Sequence, residues 1–175
     1  MGQDQSDEEI LNKIEQRAYA NELEYHGCCQ ATLKALQDHL GIGNLATFKA
    51  ATPFALGISR MGDCCGALIA GIMAIGIEFG REDLDESRAS QDSMHRAMDL
   101  GAELCEKFER EFGSHRCWDI QEKLLGRRFD PRLPEIQKMK EAGTYYSTLA
   151  KGASIVSAKG ARLAAEIILR ERKKP

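Results

Sequence analysis

Met61-Gly-Asp-Cys-Cys-Gly-Ala-Leu-Ile-Ala-Gly-Ile-Met-Ala-Ile-Gly-Ile-Glu-Phe-Gly80 decides the fold. From Cys64 to Phe79 almost every residue is apolar or small. Leu68, Ile69, Ile72, Met73, Ile75 and Ile77 alternate with Ala67, Ala70, Gly71, Ala74 and Gly76. A helix without a polar face belongs inside a protein. Asp63 stands at its start as an N-cap. The run is too short to span a bilayer. Its small residues let neighbouring helices approach closely, within one chain or across a homodimer.

Helical periodicity continues on both sides. Ser6 and Glu9 read as a capping box, and Ile10, Leu11, Ile14 and Ala18 follow in a helix running to about Leu23. After Tyr25-His26-Gly27, a second stripe runs through Cys29, Leu33, Leu36 and Leu40, and Gly41 and Gly43 end it. A short helix is expected from Asn44 to Pro53. Glu82 to Glu86 reads as an acidic connection or a helix start. A long helix then carries Met94, Ala97, Met98, Gly101, Leu104, Cys105, Phe108 and Phe112 to a stop at Gly113. Ser114 reads as the cap of a helix bearing Cys117, Trp118, Ile120 and Leu124. A minor helix over 135–142 and a last one from Ser147 to Arg172 complete the series. The expectation is one all-α domain over residues 1–175. It is a single-domain helical bundle of about six or seven helices around a buried central helix at about 64–79.

The chain has 175 residues, 43% hydrophobic and 29% charged, which suits one globular core and not a disordered chain. A formal net charge of −3 gives no basic field for nucleic acid. The polar, acidic start is no secretory signal, and the expected location is cytoplasmic. Gly2 and Ser6 match a loose myristoylation pattern. No polybasic second anchor accompanies it, so it reads as a chance match.

Six cysteines remain to be explained. On these boundaries Cys28 and Cys29 open one helix, Cys64 and Cys65 open the apolar one, and Cys117 lies in the first turn of a third. Helix N-termini carry partial positive charge and unpaired N–H groups, which favour thiolates. Each cysteine alone is best read as packing; five at three helix starts point to chemistry. Cys105, mid-helix on an apolar face, reads as a core residue. His26-Gly27-Cys28 and His115-Arg116-Cys117 share the spacing H-x-C, which lets an imidazole relay a thiol proton or join a metal site.

Three stretches carry a family resemblance: Cys28-Cys29-Gln-Ala-Thr-Leu, Met61 to Gly80, and Phe108-Glu-Arg-Glu-Phe-Gly-Ser-His-Arg-Cys117. Together they resemble the bacterial and archaeal family of redox-active proteins named for its C…GCAxxG…C…C cysteine pattern, over about Ala18 to Ala164. The family's cysteines fall on Cys28, Cys65 and Cys117. Ala70 replaces a family glycine. The last family cysteine has no counterpart, and Gly152 is the matching position. Cys29, Cys64 and Cys105 are additions to the pattern. The resemblance implies redox activity or metal–sulfur ligation.

Two chemistries follow. In the first, Cys28, Cys65 and Cys117 hold a metal ion or an iron–sulfur cluster for electron transfer. A closed site wants four ligands, so Cys29, Cys64, His26, His115 or an exogenous group would complete it. In the second, Cys65 attacks a disulfide and Cys28 or Cys117 resolves the mixed disulfide. The partner is then a redox protein, a small thiol or another electron donor. A third reading makes the chain a helical interaction module whose cysteines only pack.

Overall fold

A computed structural model describes residues 2–84 and 87–174, with side chains from Ser6 onward. Asp85 and Glu86, the end of the acidic connection, lie outside the described residues, as does the Met1 of the myristoylation pattern. The helices are α1 (Gly2–Tyr25), α2 (Cys28–Leu40), α3 (Leu45–Ala50), α4 (Gly66–Phe79), α5 (Arg88–Phe112), α6 (Cys117–Leu125), α7 (Pro134–Glu141) and α8 (Tyr145–Arg172). A 3-10 turn, Thr52–Phe54, follows α3. The fold is all-α. Extended pairing among the described residues is confined to one antiparallel bridge between Cys64 and Arg116. No described helix is long and apolar enough to cross a membrane.

The apolar stripes meet as their periodicity requires. Leu11, Ile14 and Ala18 of α1, Leu33 and Leu36 of α2, Leu68 and Ile75 of α4, Leu104 and Phe108 of α5, and Ile167 and Ile168 of α8 share one core. Helix α8 is its hub and packs on α1, α2, α4, α5, α6 and α7. Helix α4 packs on α2, α5 and α8. It is buried on that side, but Ile72 on its outer face is 36% exposed. Its small residues are used inside the chain. A Cβ on Gly71 would lie 3.0 Å from the Ala164 Cβ, and one on Gly160 would lie 3.1 Å from the Ala67 Cβ. A second cluster of Phe129, Ile136, Tyr145 and Leu149 sits under α7.

Three expected helix starts shift. Ser6 lies inside α1, which begins at Gly2, so it caps nothing. The N-cap of α4 is Cys65, not Asp63, and that of α6 is Arg116, not Ser114. Asp63 and Ser114 carry the right side chains for a cap, which is a local signal. The chain instead spends 63–65 and 115–117 pairing with each other, which delays both helices. The expected ends hold where glycine adopts positive φ: Gly41, Gly113 and Gly126 terminate α2, α5 and α6.

Candidate functional site

A cavity of about 510 Å³ opens at one end of the bundle, and Cys28, Cys65 and Cys117 all line it. They reach it from the first position of α2, the N-cap of α4 and the first position of α6. The other walls include Glu22, His26, Leu56, Arg60, Gln121 and Gly152.

Backbone pairing fixes two of the three thiols. Cys65 N–H donates to His115 O at 2.8 Å, and Cys117 N–H donates to Asp63 O at 2.7 Å. Trp118 N–H adds a bond to Gly62 O at 3.2 Å. Side chains are excluded behind this pairing. A Cβ on Gly57 would come within 2.7 Å of the Cys117 Cβ, and one on Gly62 would strike the Trp118 ring at 1.9 Å. Cys28 is fixed differently. Its residue surface is partly open, but its sulfur lies 2.6 Å from where a Gly66 Cβ would sit. Glycine at 66 therefore makes room for it.

The loop before α4 is strained. Leu56, Gly57, Ile58, Ser59 and Arg60 all have positive φ, from 50° to 70°. Left-handed backbone costs about 1–2 kcal/mol for each non-glycine residue. Bonds such as Ser59 N–H to Pro53 O at 2.7 Å and Gly62 N–H to Leu56 O at 3.1 Å hold the run in place. One result faces the site, because the Leu56 amide favours the Cys28 thiolate.

Burial sets the acidities, against the expectation drawn from the helix starts. Cys28 is pushed well up, first by burial and then by the charges of Cys65, Glu22 and Cys117. Cys117 is likewise raised by burial, although Gln121 Nε2 donates to its sulfur at 3.2 Å. Gln121 is itself held by Phe129 N–H, which donates to Gln121 Oε1 at 2.8 Å. Cys65 is pushed up to about 11 by burial, and the Ala67 and Leu68 amides pull it back. Those amides favour its thiolate without closing into a full cap hydrogen bond. The helix-terminal field is present at Cys65, but desolvation of three neighbouring thiols outweighs it.

The remaining expected residues divide. Cys29 is buried in the core, where burial raises it to about 12, and it does not line the cavity. Cys64 is also outside the wall; burial raises its pKa first, and the interaction with Cys105 adds to that. Cys105 is half-buried and packs on the core, in line with its reading as a packing residue. His115 is exposed, with Nδ1 2.5 Å from Glu109 Oε1, and contributes its backbone oxygen, not its ring. His26 does line the cavity, with its ring stacked on Tyr146 at 4.7 Å. Glu22, absent from the sequence reading, is 4% exposed and lines the same wall. A signal for it existed: Glu22 continues the Leu11, Ile14, Ala18 stripe by one more helical step.

Residues 26–152 match the model of the family described as "Putative redox-active protein (C_GCAxxG_C_C)". The chain belongs to this family. No curated protein and no solved structure matches it. Cys28, Cys65 and Cys117, the cysteines that the resemblance assigns to the family pattern, line the cavity, and Cys29, Cys64 and Cys105 do not. Gly152, where the resemblance expects the last cysteine, is in the wall as well. A Cβ there would lie 3.1 Å from the Leu125 side chain, so Leu125 fills that side of the cavity.

The arrangement of this donor set is not that of a closed metal or iron–sulfur site. Such a site needs four ligands. The cavity presents three thiols beside Glu22 and His26, with Leu125 at the side next to Gly152. Among the described residues no group of three or more His, Cys, Asp or Glu side chains is arranged to hold a metal ion.

Proposed function

We propose that this chain is a thiol–disulfide redox protein working through the cavity cysteines. The observation that carries the reading is the convergence of Cys28, Cys65 and Cys117 on one cavity, all as free thiols. Cys65 is the attacking thiol. It is the strongest thiol neighbour of both Cys28 and Cys117, and two helix-terminal amides favour its thiolate.

The substrate is a disulfide, R–S–S–R′, of a small molecule or an extended protein segment. The Cys65 thiolate attacks one sulfur. A Cys65–S–S–R bond forms, and R′S⁻ leaves and takes up the proton that Cys65 lost. Cys28 or Cys117 then attacks the Cys65 sulfur and releases RSH. Two protein thiols are oxidised by two electrons and one disulfide is reduced to two thiols. A small thiol or a dithiol protein restores the reduced state by the reverse exchange.

The test is reaction of the reduced protein with hydroxyethyl disulfide under anaerobic conditions. The native chain is expected to lose two thiols per molecule. Cys65→Ser is expected to slow that loss at least tenfold, and Cys105→Ser to leave it within twofold. Equal rates in the native chain and Cys65→Ser would overturn the proposal.

A further inference from the structure

Glu22 lies in the last turn of α1, and its Oε2 has no hydrogen-bond partner. Few buried polar atoms are left unpaired, and each exception calls for a role. Its side chain faces the cavity that holds the thiols. The titratable groups around that cavity are Tyr25 and His26 at the end of α1, Cys28 on α2, Arg60 from the strained loop, Cys65 and Cys117, and Tyr146 on α8. None of them settles the carboxylate. His26 Nδ1 is spent on the Glu22 backbone oxygen at 3.1 Å. Burial alone governs the acidity of Glu22 and pushes it up to about 8.

Resting on the thiol-exchange reading above, we propose that Glu22 is the proton carrier of this cavity, taking the thiol proton of Cys28 as Cys28 attacks the Cys65 mixed disulfide. Buried thiols need such a group. A thiolate formed in a dry cavity by loss of a proton to bulk water carries the full desolvation cost of a new charge. Once Glu22 is ionised, as it becomes when the pH approaches about 8, transfer from thiol to carboxylate moves a charge that is already present. The ordinary difficulty is that a carboxylate is too weak a base for a thiol. Burial makes Glu22 a stronger base than an ordinary carboxylate, and because burial raises the Cys28 thiol as well, the proton moves as the new S–S bond forms and not ahead of it.

Cys28 is the thiol best served. It opens α2 immediately after the turn that ends α1. The charge of Glu22 bears on Cys28 more than the charge of Cys117 does, whereas at Cys65 and Cys117 the effect of Glu22 is the smallest named. Cys117 has its own donor in Gln121.

The proton balance closes. Glu22 carboxylate takes the Cys28 proton while the Cys28 sulfur attacks the Cys65 sulfur, a Cys28–Cys65 disulfide forms, and RS⁻ leaves. Glu22, now a neutral acid, returns the proton to RS⁻. The products are RSH, one protein disulfide and the starting carboxylate.

The experiment uses the full chain with hydroxyethyl disulfide, quenched with acid and read by intact mass, which separates the mixed disulfide from the internal one. The resolution rate is measured from pH 6 to pH 9.5. In the native chain it is expected to rise with pH and level off near the Glu22 value. Glu22→Gln keeps the shape and removes the titrating carboxyl. It is expected to slow resolution at least tenfold at pH 7 and to remove the levelling-off, leaving a rise toward the thiol's own range. Glu22→Asp, with the carboxyl set back by one methylene, is expected to fall between the two. If Glu22→Gln resolves at the native rate with the native pH profile, Glu22 is not the carrier. If the native chain never converts its mixed disulfide into an internal one, the thiol-exchange reading itself fails and takes this inference with it.

Discussion

Cys65 and Cys117 are clamped across the starts of α4 and α6 by reciprocal backbone bonds, Cys65 N–H to His115 O at 2.8 Å and Cys117 N–H to Asp63 O at 2.7 Å. Neither thiol depends on its own rotamer alone for its place. The backbone that carries each is held by the segment that carries the other, so a change on one side moves both.

Gly57 backs this clamp with a φ of +67°, and a Cβ there would lie 2.7 Å from the Cys117 Cβ. Gly57→Ala adds left-handed strain of about 1–2 kcal/mol to the clash. It is expected to lower stability by about 2 kcal/mol or more and to slow disulfide formation. Gly76 lies within α4 with nothing within 4 Å of its would-be Cβ. Gly76→Ala is expected to be neutral or stabilising by about 0.5–1 kcal/mol. Urea unfolding of the two variants checks the contrast.

Gln121 bridges Cys117 and the buried Phe129 amide. Gln121→Leu leaves that amide without an acceptor, a loss of about 1–3 kcal/mol, and removes the donor that favours the Cys117 thiolate. Thermal unfolding should show the lower stability, and Cys117 should alkylate more slowly at pH 9 than in the native chain. Unchanged stability would contradict the role given to Gln121.

Glu22 makes stability depend on pH. Below its ordinary value of 4.5 the side chain is protonated in both states. Between 4.5 and about 8 the unfolded chain releases the proton and the folded chain keeps it. Stability from this group is therefore full below 4.5 and is lost as pH rises toward 8, on the order of 4 kcal/mol in all. Cys65, raised from 9.0 to about 11, adds a second decline above pH 9. Urea unfolding at pH 5 and pH 8 should show a fall in the native chain that is largely absent in Glu22→Gln. Parallel behaviour of the two chains would contradict the buried, neutral state of Glu22.

The helical architecture was legible because its signals are local. Apolar spacing marked the inner faces, and Gly41, Gly113 and Gly126 marked the ends. Asp63 and Ser114 misled because the competing force, pairing of 63–65 with 115–117, joins segments far apart in the chain. The resemblance separates Cys28, Cys65 and Cys117 from the other cysteines, and the cavity wall contains the same three. Their acidity was not legible. A helix start can be read from sequence, but desolvation depends on what surrounds the sulfur. The left-handed run from Leu56 to Arg60 carried no signal beyond Gly57, since its other residues rarely adopt that backbone.

The small residue at Gly152 leaves room that Leu125 takes. Gly152→Cys alone is expected to cost about 1–3 kcal/mol through overpacking. Adding Leu125→Ala should relieve the crowding, and it should let the new thiol face the other three. Zinc binding, followed by competition with a chromogenic chelator, should be at least tenfold tighter in that double variant than in the native chain. Equal affinity would contradict the view that the native donor set is one ligand short.

The most direct measurement is disulfide mapping by mass spectrometry after stoichiometric oxidation of the reduced chain with hydroxyethyl disulfide. The predicted result is one internal bond joining Cys65 to another cavity thiol, with Cys29, Cys64 and Cys105 left free. Cys64 and Cys105, each half-buried and within electrostatic reach of the other, are the internal control. A bond between those two, or no internal bond at all, would contradict the account.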